Sequence, residues 1–132
     1  MASKWVVETE ITRASLEDDG IIYVRYPNPS SQETLEEAKY VLSEMKKHTE
    51  GKTYPAIIDL SIIRSVAGDA RSFHAGKETA EVVSAAALII KNPISKAIGN
   101  FFLSLNRPIY PVQLFTSEED AREWLKSYLN HG

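Results

Sequence analysis

The chain has 132 residues, 15 basic against 18 acidic side chains, no cysteine and 43% hydrophobic residues, the make-up of a single soluble domain at roughly 150 residues per unit. Without cysteine there is no disulfide scaffold, zinc finger, iron–sulfur cluster or thiol catalysis, and a reducing cytoplasm is the compartment this implies. A net charge of −3 argues against a general binder of nucleic acid or anionic membrane, whose affinity rests on clustered positive charge.

Near the start, Trp5-Val6-Val7-Glu8-Thr9-Glu10 places charge where an export signal needs an apolar core. Trp5 to Arg13 alternates in polarity and reads as a strand, and Asp18-Asp19-Gly20 turns the chain into a second strand, Ile21 to Tyr26, giving an antiparallel hairpin. After Pro27 and Pro29 a first helix is expected from Ser30 or Ser31, with Glu33 or Thr34 three residues on. It carries Leu35, Ala38, Val41, Leu42 and Met45 on one face and closes near Gly51. Ala56 to Leu60 reads as a central strand. Asp69 is placed to cap a helix from about Ala70 that Gly76 weakens. Val82 to Ile90, far short of the ~20 apolar residues of a membrane span, reads as a buried strand. Asn92 caps a third helix with Pro93 in its first turn and an inward stripe of Ile94, Ala97, Ile98, Phe101, Phe102 and Leu105. Val112 to Phe115 is the last strand. Thr116 and Glu119 form a capping box for a closing helix that turns Ala121, Trp124, Leu125 and Tyr128 inward.

The order ββαβαβαβα implies an α/β sandwich in one domain, residues 1–132. It holds a mainly parallel five-stranded sheet with right-handed crossovers, an antiparallel hairpin at one edge, and four helices. Ligands of such sheets sit beyond the carboxyl ends of the strands, here Asp59-Leu60-Ser61 through Asp69, and Lys91-Asn92.

The usual chemical signatures are missing from the sequence. It has no G-x-G-x-x-G, no P-loop and no G-x-S-x-G, and His48, His74 and His131 stand singly without metal spacing. No enzyme activity, cofactor or metal is therefore expected. Asp59 is the most suggestive acid, although a carboxylate at a strand end commonly accepts backbone N–H bonds and organises its loop. Lys91, Lys96 and Arg107 carry three positive charges with no acid between them. A solvated face is the ordinary reading of such a stretch, and an anion drawn to the helix terminus at Asn92 the sharper one. Tyr40 and Leu103 fall off the apolar helix faces and suit a protein contact, a symmetric homodimer included.

The strings Ala56-Ile57-Ile58-Asp59-Leu60-Ser61, Asp69-Ala70-Arg71-Ser72-Phe73 and Pro93-Ile94-Ser95-Lys96-Ala97-Ile98-Gly99-Asn100-Phe101-Phe102 look like the SpoIIAA-like group of bacterial proteins. The element order resembles the STAS domain, the fold of the SpoIIAA anti-sigma-factor antagonist. In phosphorylation-switched members an Asp-Leu-Ser strand end is followed by an Asp-Ser-Ser-Gly turn whose serine takes the phosphate. Asp59-Leu60-Ser61 matches the first part, but the turn falls on Ala67-Gly68-Asp69-Ala70 and glycine stands at the serine position. The switch is not carried over, and Ser65 and Ser72 are the nearby hydroxyls. The resemblance implies a cytoplasmic, non-enzymatic regulatory domain that works by protein contact through Asp59, Ser61, Ser65, Asp69 and Arg71, with Lys91, Asn92, Lys96 and Arg107 alongside. The group is also similar in fold to the lipid-carrier CRAL-TRIO domains. That implies, as the alternative, a small apolar or lipid ligand whose anionic head meets Lys91 and Arg107, although core packing is the better account of Phe101, Phe102 and Leu105.

Overall fold

A computed structural model describes residues 3–129; His131 lies outside the described residues. The first strand expected from the sequence is broken in two. β1 (Ser3–Glu8) ends where the Thr9 hydroxyl accepts from the backbone N–H groups of Ile11 and Thr12, and the chain returns as β2 (Arg13–Glu17), antiparallel to β1. Such a side-chain turn competes with the ladder and outweighs the alternating pattern. Gly20, at φ +82°, makes the next turn, and β3 (Ile22–Arg25) pairs antiparallel with β2.

The main sheet is therefore six-stranded. β3 continues parallel into β5 (Tyr54–Asp59), then β7 (Val83–Ile89), then β8 (Val112–Phe115). Two short strands on separate crossovers, β4 (Gln32–Glu33) and β6 (Ser65–Val66), pair parallel in a second sheet beyond the carboxyl ends of β3 and β5.

Helix α1 (Leu35–Thr49) starts later than Ser31, because Gln32 and Glu33 are taken by β4 and the Thr34 hydroxyl accepts from Glu37 N. α2 (Gly68–His74) follows Ala67, which has no capping side chain, so Asp69 lies in the first turn instead of capping it. At Gly76 the helix ends and a single turn, α3 (Lys77–Ala80), begins. α4 (Pro93–Phe101) has the expected Asn92 cap and runs on into a π turn, Phe102–Asn106. α5 (Glu118–Leu125) is capped by Ser117 through Asp120 N, one residue later than the Thr116–Glu119 box. No helix of the described residues is long and apolar enough to cross a membrane.

One sheet face packs Ile22, Ala56, Ala86 and Leu88 against α1, α2 and α4; the other packs Tyr23, Ile57, Ala87 and Ile89 against Ala121 and Leu125 of α5. This alternation along β3, β5 and β7 is what buried strands covered on both faces require. α4 lies so close to β8 that a β-carbon on Gly99 would come within 2.9 Å of Leu114 Cδ2.

Candidate functional site

The crossovers from β3, β5 and β7 all emerge on the side where the sequence places the ligand end. Asp59 Oδ1 accepts from Ser61 N at 2.9 Å, and the Ser61 carbonyl accepts from Asn92 Nδ2 at 2.6 Å. Asp59 is thus a loop organiser, tied through Ser61 to the start of α4. The same terminus is closed on itself: Ser95 N donates to Asn92 Oδ1, while Lys91 N and Asn92 N donate to Ser95 Oγ. An anion at Asn92 would have to displace these bonds, so the expected helix-terminus site is already filled by the protein.

The three cations around α4 do not converge. Lys91 precedes the helix and Arg107 follows its π turn, so the two cations stand at opposite ends of this element. Lys96 is two residues beyond Ile94, hence ~200° round the helix from it, and faces away.

What the fold does bring together is a groove of about 380 Å³ between β6 and α4, bordered by α2. Arg64, Ser65 and Arg71 form one side, and Ile94, Ala97 and Phe101 the other. Ile94 is 53% exposed and Phe101 47%. This corrects the sequence reading, in which Ile94, Ala97, Phe101 and Leu105 point into the core; the buried residues of α4 and its π turn are Ser95, Ile98, Gly99 and Phe102. A stripe wider than the sheet can cover leaves one flank in water. Leu103, read as exposed, is partly buried, whereas Tyr40 is exposed as expected.

Arg71 is held in place. Its Nε donates to Asn106 Oδ1 at 3.1 Å and Nη1 to the Val66 carbonyl at 3.0 Å, and the guanidinium carbon lies 5.7 Å from the Phe101 ring centre. Ser65 lines the groove, while Asp69 is exposed on α2 and is not among the lining residues.

Beneath the groove, a polar cluster is buried against α1. Glu33 is 2% exposed; its Oε1 lies 2.8 Å from His74 Nε2, and its Oε2 accepts a long bond, 3.4 Å, from the Tyr26 hydroxyl. The Tyr110 hydroxyl donates to the His74 carbonyl at 2.6 Å. Burial, reinforced by the charge of Glu33, drives the Tyr26 hydroxyl well above its ordinary range, so it stays protonated and donates. These residues and the apolar side chains of α1 line a pocket of about 80 Å³. That is below the ~300 Å³ of a typical ligand pocket.

A family model matches residues 14–129. The chain belongs to the DUF7793 family, a domain of unknown function. No curated protein matches it. Among solved structures, this DUF7793 chain is similar to an uncharacterised protein of the DUF3478 family from Shewanella loihica PV-4, described as having a SpoIIAA-like fold. The TM-score is 0.59 at 16% identity, over 95% of this chain and 98% of that one. A protein with unknown function from Arthrobacter sp. FB24 is 24% identical over 85% of this chain and 96% of its own, but at a TM-score of 0.31 it carries no argument. The likeness to the Shewanella protein establishes the SpoIIAA-like fold of this DUF7793 chain.

Two groups of residues escape the sequence reading. Glu33 and His74 are 41 positions apart, and a buried acid whose partner is distant has no local signature; Glu33 reads instead as a cap partner. Arg64 is one cation in an unpatterned loop. The composition of α4 and its π turn is the available signal, since seven apolar residues from Ile94 to Leu105 exceed what one sheet face can cover.

Proposed function

We propose that this DUF7793 domain is a non-enzymatic regulatory module that acts by protein–protein contact, through the groove between β6 and α4 and the adjoining loop from Ser61 to Asp69. The observation that carries this reading is the half-exposed pair Ile94 and Phe101 on a capped helix, facing Arg64 and Arg71 across a recess. Large apolar side chains clustered beside arginine are what interface centres are made of. The absence of the phosphate-accepting serine at Gly68 removes the serine switch from this mode of action, and contact itself is the regulated event.

Quantitative affinity capture from the native host tests it. The full chain is expected to retain a partner that Ile94→Ser and Phe101→Ser each lose by ~fivefold or more, both variants keeping wild-type circular dichroism. Identical captured sets for the three proteins would remove the groove as the docking surface.

A further inference from the structure

We infer that the partner of this groove is an acidic amphipathic peptide segment, one that sets apolar side chains on Ile94 and Phe101 and carboxylates on Arg64 and Arg71. This deepens the docking reading and rests on it.

Charge complementarity is the argument. Of the cations elsewhere on the molecule, Arg13, Arg25, Lys46, Lys47, Arg122 and Lys126 pair with a carboxylate, whereas Lys39, Lys52 and Lys77 are exposed lysines outside the groove. Arg64 and Arg71 pair with no carboxylate of the described residues, no acid lines the groove, and the sequence from Val82 to Ser117 contains no Asp or Glu at all. In a chain of net charge −3, this recess is lined by two arginines and no carboxylate, beside exposed apolar side chains.

Arg71 adds geometry. Two of its five N–H donors go to Asn106 and Val66, which fixes the guanidinium plane beside the Phe101 ring. A planar fork held in one orientation matches a carboxylate better than a mobile ammonium does, and less conformational freedom is lost on binding. The shape selects a peptide over a bilayer. The apolar residues line a recess with the arginines on its opposite wall, and Lys96 is turned to the far side of α4; a membrane-binding helix instead presents its apolar face outward, with its cations flanking that face.

A random 16-residue peptide library panned against the full chain tests the assignment, with affinities read by fluorescence anisotropy. Enriched peptides are expected to combine paired apolar residues with excess Asp and Glu, and to bind Arg64→Glu and Phe101→Ser each ~tenfold more weakly. Lys39→Glu, on the exposed face of α1, should bind as wild type. Enrichment of neutral or basic peptides that Phe101→Ser still weakens would overturn the acidic partner and leave the docking groove standing. Peptides indifferent to both Phe101→Ser and Ile94→Ser, or no enrichment, would remove the groove as a peptide site. Phe101-dependent binding to phosphatidylglycerol vesicles without peptide enrichment would reassign the face to a membrane.

Discussion

Glu33 and His74 form the most consequential residue pair outside the groove, because they pin β4 to α2 beneath it. Burial works against the charged imidazole, but the charge and hydrogen bond of Glu33 outweigh it, and His74 titrates above its ordinary value of 6.5. A group raised on folding adds stability that is fully present below the unfolded value, about 6.5, and is lost as pH climbs through the raised folded value. The urea midpoint should therefore be higher near pH ~6 than near pH ~9. His74→Gln should flatten that part of the profile and, by leaving a buried carboxylate without its cation, lower stability at the acid end by about 3 kcal/mol. A midpoint that rises over the same interval would show that the pair is not an ion pair in the folded state. None of this was visible in the sequence, where His74 had no neighbour with which to form a motif. Asp59 was visible, and the loop-organising role expected of it agrees with its bond to Ser61 N.

At the scale of elements, α4 is the unit on which the site depends. Ser95 is fully buried, and its hydroxyl accepts from two backbone N–H groups while donating to the Asn92 carbonyl. Ser95→Ala strands those donors at the helix start and should cost about 1 to 2 kcal/mol, measured by thermal or urea unfolding. If the groove depends on a fixed α4, binding of a docked peptide should weaken in the same variant, whereas a loss below about 0.3 kcal/mol would mean that water replaces the hydroxyl. Asn92 and Pro93 made this helix start legible, since capping chemistry is local in sequence. The split of the first strand was not legible, because Trp5 to Arg13 alternates without interruption and the Thr9 turn is decided by competition between a side chain and the ladder.

For the whole molecule, the two sheet faces are covered unequally. α1, α2 and α4 share one face, whereas α5 alone supplies Ala121 and Leu125 to the other. Leu125 is fully buried at the centre of that second cluster, so Leu125→Ala should destabilise the domain by about 3 kcal/mol or more, seen as a lower urea midpoint at unchanged slope. A loss under about 1 kcal/mol would indicate that the α5 face collapses freely. That substitution is remote from β6 and α4, and peptide binding by the folded fraction should be unchanged.

The sequence by itself determined the class: an α/β domain of SpoIIAA-like order, its central buried strands, the start of α4, and a glycine at position 68 where the resemblance expects a serine. Each of these is written in short-range terms, as periodicity, capping or the identity of one residue. Tertiary structure decided which flank of α4 stays in water, that Arg71 is clamped over Phe101, and that Glu33 meets His74. Those outcomes follow from crossovers that bring distant segments together at the carboxyl ends of the strands, and from the limited width of one sheet face. A one-dimensional pattern can mark a residue as apolar or charged; only the packed chain assigns it a neighbour.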